Sequence, residues 1–235
     1  MNPSRHRQSG FTLIEIAIVL LIVGLVIGGM IAPLGTLLEQ KRVTETRRTM
    51  EDAKEALLGF AMSRGYLPCP AISSSNGLED RIGSTCRKRT GLLPWATLAV
   101  PRLDGWNRVL GYTVTPAFSD SLVTFKLGSA RDITVKTRDS SGQLIQATGI
   151  NDVPVAIISF GRNGYGGTSD QNTQIADAGV DNVDEKTNLQ SGGILLINRD
   201  TADNPLAPGG AFDDMVNWIS PNILFNRMVA VQRLP

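Results

Sequence analysis

The sequence predicts an α+β protein in which one long N-terminal helix packs against an antiparallel β-sheet head. Three observations predict it. Residues 11–38 form an apolar run with a single charged side chain, Glu15. Residues 39–64 change at once to an amphipathic pattern, and after residue 105 short strand-like runs alternate with turn residues.

As a helix, the run 11–38 is roughly 42 Å long at 1.5 Å per residue. That exceeds the roughly 30 Å of a bilayer core. Arg5 and Arg7 precede it, and basic residues beside an apolar span hold that end in the cytoplasm, so the chain after about residue 40 is expected to be translocated. An ordinary secretory signal has a shorter apolar region closed by small residues in a polar context, which is not the pattern here. A carboxylate inside such a run costs about 2.5–3.5 kcal/mol at the bilayer centre and less near an interface, which makes Glu15 a functional candidate that needs a partner. Gly24, Gly28, Gly29, Pro33 and Gly35 interrupt the run. Small residues let neighbouring helices approach closely, and a proline removes one helix hydrogen bond.

In residues 39–64, Val43, Met50 and Leu57 recur every seven positions with Ala53, Phe60 and Ala61 alongside, which is the apolar stripe of an amphipathic helix. Lys41 and Glu45, Arg47 and Glu51, and Arg48 and Asp52 stand four apart on its wet face. Gly65 is the expected stop. Residues 66–105 read as an irregular connector carrying both cysteines, Cys69 and Cys86, with Trp95 and, just beyond it, Trp106 as packing residues. A disulfide suits the two thiols if the head lies outside the cytoplasm. Closing that loop adds roughly 3 kcal/mol in the chain-entropy picture.

Strands are expected at 109–115, 122–127, 133–137, 144–148, 153–160 and 194–198, with a hairpin turn at Asp139-Ser140-Ser141-Gly142. Residues 161–193 read as a long polar loop, functional or mobile. Asp213 or Asp214 is expected to open a helical turn, and Ser220-Pro221 a further helix whose Ile223, Leu224 and Met228 face the core.

Lys and Arg number 23 against 22 Asp and Glu, a balance that does not call for nucleic acid as a partner. The basic group Arg81, Arg87, Lys88 and Arg89 reads as a solvated loop. The only histidine, His6, precedes the apolar run, so the rest of the chain offers no imidazole for a Ser-His-Asp triad. The glycine-rich stretch 161–167 lacks the lysine and spacing of a phosphate loop. No catalytic constellation and no enzyme activity are expected.

Ser9-Gly10-Phe11-Thr12-Leu13-Ile14-Glu15, with its basic leader and apolar tail, closely resembles the type III signal of type IV pilins and type II secretion pseudopilins. The resemblance implies a pilin-like fold and a precursor cut on the cytoplasmic side after Gly10 by a membrane peptidase that also methylates Phe11. It implies that Glu15, the fifth residue of the processed chain, neutralises the terminal amine of an adjacent subunit in a filament. Gly24 and Pro33 look similar to the positions where the pilin helix loosens during assembly. The expected organisation is a leader (1–10), an assembly helix (11–38), its amphipathic continuation (39–64) and a periplasmic head (65–235). The expected partners are other pilin or pseudopilin subunits, the prepilin peptidase/N-methyltransferase and the inner membrane.

The expected function is a structural subunit, a minor pilin or pseudopilin. The alternative is an adhesin or DNA-uptake module displayed on the filament. The early position of Cys69 and Cys86 departs from major pilins, and Glu15 departs from the tip-capping pseudopilin. Major pseudopilins bind calcium in a late loop of the head, which makes Asp177, Asp181, Asp184 and Glu185 calcium candidates by resemblance; a solvated acidic loop is the default, and no other cofactor is expected.

Overall fold

A computed structural model describes residues 11–177, 179–190 and 192–234, with 29–33 described by their backbone alone. The chain is α+β, with an N-terminal helix and largely antiparallel sheets. It divides into two compact units, Met1–Arg42 and Val43–Pro235. The first helix, α1 (Leu13–Arg64), contributes to both.

In the first unit, the large apolar side chains between Phe11 and Ile27 are all exposed, from 44% at Val23 to 89% at Leu13. Glu39 and Arg42 approach within 4.0 Å, three residues apart.

In the second unit α1 is amphipathic. Thr46, Met50, Ala53, Leu57 and Ala61 are buried at spacings of four, three, four and four, the period of one helix face. Glu51 and Lys54 pair at 3.5 Å at the margin of that face, where both also hydrogen-bond Asn217. The helix ends at Gly65, whose φ of +87° suits a residue without Cβ and whose N–H donates to the Ala61 carbonyl at 2.7 Å.

The connector is more ordered than the composition suggested. It holds β1 (Arg81–Ile82), β2 (Thr85–Cys86), β3 (Thr90–Leu92) and α2 (Trp95–Leu98). The Cys69 and Cys86 sulfurs stand 2.05 Å apart, at bonding distance. There follow β4 (Arg108–Val109), β5 (Gly111–Val114), α3 (Pro116–Ser119), β6 (Thr134–Arg138), β7 (Leu144–Gln146), β8 (Val155–Ser159), β9 (Thr168–Ser169), α4 (Val183–Gln190), β10 (Leu195–Ile197), β11 (Met215–Ile219) and α5 (Pro221–Ala230).

The main sheet runs β11-β8-β5-β3 and is antiparallel throughout. Its central strand β8 is buried at every position, which is why Val-Ala-Ile-Ile reads as a continuous apolar run rather than an alternation. Side chains alternate across a strand. Val155 and Ile157 therefore join one core with Leu57, Leu58, Tyr112 and Leu224, while Ala156 and Ile158 join a second with Ile133, Val135 and Leu196. Helix α1 closes the first core. The sheet β10-β6-β7 closes the second.

Several expectations are corrected. Residues 122–127 are not a strand: the Asp120 carboxylate accepts from the N–H groups of Leu122 and Val123, an Asx-type turn that satisfies the backbone locally. Phe125 alone turns inward there and stacks on Phe118 at 4.7 Å. The loop expected at 161–193 contains β9 and α4. Asp213 and Asp214 lead into strand β11 instead of a helix, because the stretch that follows pairs along the whole of β8. The sheets are not wholly antiparallel either, since β10 pairs β6 in parallel after a long crossover. On α5, Leu224 and Met228 are buried as expected, whereas Ile223 is exposed. Trp95 and Trp106 are half-buried and stand outside both cores.

Leu57 has no exposed surface and sits between α1 and the main sheet. Leu57→Ala is expected to destabilise the protein by about 2–5 kcal/mol. Urea unfolding of the full chain in detergent measures it; a loss below about 1 kcal/mol contradicts the packing.

Candidate functional site

The N-terminal segment supplies the first cluster of chemistry. Gly10 lies outside the described residues. Phe11 precedes α1 and is 83% exposed. The Thr12 N–H and the Thr12 hydroxyl both donate to Glu15 Oε2, at 2.8 and 2.7 Å, and Thr12 Oγ1 accepts from the Glu15 N–H at 3.3 Å. This reciprocal arrangement is a capping box, in which the residue before the helix and the third residue within it satisfy each other's free donors. The Thr-x-x-Glu spacing ahead of an apolar run is its sequence signature, and reading Glu15 only as a partner for an amine missed it. Glu15 thus already has a task within its own chain. At Gly24 a Cβ would meet nothing within 4 Å. Pro33 lies within the span of α1, and its side chain is outside the description.

Among the described residues no helix is long and apolar enough to cross a membrane.

The second cluster is acidic and lies in the head, where it divides the four calcium candidates. Asp177 accepts from Gln190 Nε2 at 2.6 Å and stands 3.8 Å from the Lys186 ammonium. Asp181 is exposed. Asp184 is buried and held by two guanidinium groups, with Arg138 Nε and Nη2 and Arg199 Nε each at 2.7 Å. Those bonds draw the Arg138 pKa upward and use both carboxylate oxygens of Asp184.

Only Glu185 joins a carboxylate group, and its companions are Asp213 and Asp214. One oxygen from each lies within 4.8 Å of the others. Glu185 is brought there by the first turn of α4, and the two aspartates by the entry to β11. Asn163 Nδ2 and the Asp213 N–H donate to Glu185 Oε1 at 2.8 and 3.0 Å, and Asn182 Nδ2 donates to Oε2 at 3.1 Å. Asp214 Oδ2 accepts from Asn188 Nδ2 at 2.8 Å, and Asp213 Oδ2 from the Asn163 N–H at 2.9 Å. Burial raises the Asp213 carboxyl to about 6, offset in part by the Asn163 N–H and reinforced by Glu185. Asp214 is pushed well above the ordinary carboxylate range, again first by burial and then by Glu185 and Asp213. An acid with a raised pKa in the folded state resists ionisation, so each of these carboxylates is costly to charge where it stands.

The family model for the prokaryotic N-terminal methylation motif matches residues 5–31. That motif is the signature of type IV pilins and pseudopilins. The motif points to a pilin-type structural subunit that assembles with other pilin subunits. No curated protein and no solved structure matches the chain.

Replacing one partner of a buried ion group leaves the other charges unpaired, so Asp184→Asn is expected to cost about 3–5 kcal/mol. Asp181→Asn, on an exposed side chain, should change stability by no more than about 0.5 kcal/mol. Equal losses for the two variants on chemical unfolding would contradict this division of roles.

Proposed function

We propose that the chain is a minor pilin or pseudopilin of pilin-like fold, a structural subunit of a type IV pilus or type II secretion filament. One observation carries the reading: the methylation motif at 5–31 covers the start of α1, where the large apolar side chains between Phe11 and Ile27 are exposed around the whole circumference. Water does not tolerate a contiguous apolar surface of that extent. A bilayer covers it before assembly, and the same surfaces of neighbouring subunits cover it afterwards.

In this reading the prepilin peptidase cuts after Gly10, and Phe11 becomes a methylated terminal amine. The amine then stands one residue ahead of Thr12 and within one helical turn of Glu15. A carboxylate in the first turn favours the positive end of the helix dipole, so Glu15 stabilises the isolated subunit through its capping box. In the filament the same carboxylate meets the amine of an adjacent subunit. A poorly solvated charge pair is penalised when either partner is missing, so the pair reports register between subunits. Gly24 leaves room for close helix approach. Residues 65–235 then lie in the periplasm, where oxidising conditions favour the Cys69–Cys86 disulfide.

Two measurements test the proposal. N-terminal sequencing and intact-mass analysis of protein from cells with an active prepilin peptidase are expected to show a start at methylated Phe11; recovery of the unclipped chain alone overturns it. Among purified filaments, Glu15→Ala protein is expected to be processed but absent. Thr12→Ala removes the cap and keeps the carboxylate, so that variant is expected to enter. Entry of both variants at wild-type levels would show that Glu15 serves only as a cap.

A further inference from the structure

The outer edge of the sheet β10-β6-β7 is separate from both the N-terminal motif and the carboxylate group. Between β6 and β7 the Asp139 N–H donates to the Gln143 carbonyl at 3.0 Å, and the Ala147 N–H to the Val135 carbonyl at 3.0 Å. Hydrogen-bonded pairs alternate along an antiparallel ladder, so Ile145, opposite Thr137, turns its N–H and C=O towards β6. Leu144 and Gln146 turn theirs away from it. Among the described residues no strand lies beyond β7, and no hydrogen bond takes up those outward groups.

Charges, prolines and bulges are what keep open sheet edges from pairing with other chains. The stretch Gln143-Leu144-Ile145-Gln146-Ala147 has no charge and no proline. Its irregularity, the sharing of the Val135 carbonyl by the Ala147 and Thr148 N–H groups, closes the ladder only beyond Gln146. The side chains are as open as the backbone, with Leu144 43% and Ile145 44% exposed. Val135 and Thr137 share one side of β6, and Ile145 stands opposite Thr137 on that same side. Val135 is fully buried in the second core, so that core runs out to the edge and ends there on a half-covered isoleucine.

We propose that β7 pairs antiparallel with β7 of a second copy of this chain, about a two-fold axis at Ile145. That register sets Leu144 of one protomer opposite Gln146 of the other, and each such pair exchanges main-chain hydrogen bonds through the groups that face outward. Every open donor then meets an open acceptor, and no like charges face each other across the join, because the strand carries none. That self-complementarity is what makes a second copy the fitting occupant. The two Ile145 residues stand opposite each other as a non-hydrogen-bonded pair, with Cα atoms about 4.5 Å apart, and cover each other at the end of the second core. The three-stranded sheets of the two copies become one continuous sheet. A contact made about a two-fold axis closes on itself, so it joins two heads and is distinct from the helix packing that extends a filament. β7 has three residues, and the interface is correspondingly small and reversible.

The test uses the full chain in detergent, in which Cys69 and Cys86 are bonded to each other and no described cysteine is free. Ile145→Cys sets two thiols at a separation that a disulfide spans. Mild oxidation is expected to give a cross-linked dimer on a non-reducing gel at least about tenfold faster than for Leu122→Cys, because pairing raises the effective concentration of the thiols. Leu122 is exposed in the turn after α3 and belongs to no strand. Leu144→Cys is expected to be as slow as Leu122→Cys, since Leu144 faces Gln146 of the partner and not its own copy. Gln146→Pro removes a donor that points outward and none that binds β6, so added to Ile145→Cys it should slow cross-linking by about tenfold and leave the Tm within about 2 °C. Association through α1 acts on all variants alike, so these ratios report on β7. Equal rates for Ile145→Cys and Leu122→Cys overturn the proposal, as does a folded proline variant that cross-links undiminished. Should the proline variant lose its fold, the first comparison decides. Cross-linking of Leu144→Cys as fast as Ile145→Cys overturns the two-fold register.

Discussion

The rest of the molecule depends on where the apolar surface of the first unit is placed. From Phe11 to Ile27 the chain presents large aliphatic side chains on all sides of a helix and covers none of them. Burial is worth about 25 cal/mol per Å² of apolar surface, so the arrangement is stable only in lipid or against other helices. Within this surface a single carboxylate is retained and kept hydrogen-bonded to Thr12. The capping box explains how that charge is held within its own chain.

The second unit uses the same helix differently. Its C-terminal part keeps one apolar face, and that face closes one of the two cores divided by the main sheet. A strand such as β8, buried on both sides, links the helix layer to the β10-β6-β7 layer. Helix α4 packs beside β10 through Asn188 and Leu189, and this brings Glu185 to Asp213 and Asp214.

What could be read from sequence was what is contiguous. The N-terminal methylation motif, the apolar run, the amphipathic stripe and the Gly65 stop each lie within a few helical turns, and motif spacing or periodicity reveals them. The hairpin of β6 and β7 was legible for the same reason, through Asp139 and Gly142. The strand expected at 122–127 failed because apolar content alone does not distinguish a strand from a turn fastened by Asp120. β11 was hidden behind two aspartates that resemble a helix start. The carboxylate group was illegible because its members stand 28 residues apart and meet only through tertiary packing. Proximity along the sequence had grouped Asp177, Asp181 and Asp184 with Glu185, whereas the fold gives Asp184 to Arg138 and Arg199.

The apolar N-terminal segment is the most direct point of attack. Membranes from cells making the full chain can be washed with alkaline carbonate, which strips peripheral proteins and leaves those held by the bilayer core. The chain should remain in the membrane pellet, and removal of residues 11–38 should release it. Recovery of the intact chain in the wash as a soluble monomer would mean that water accepts this surface, and the account would fail.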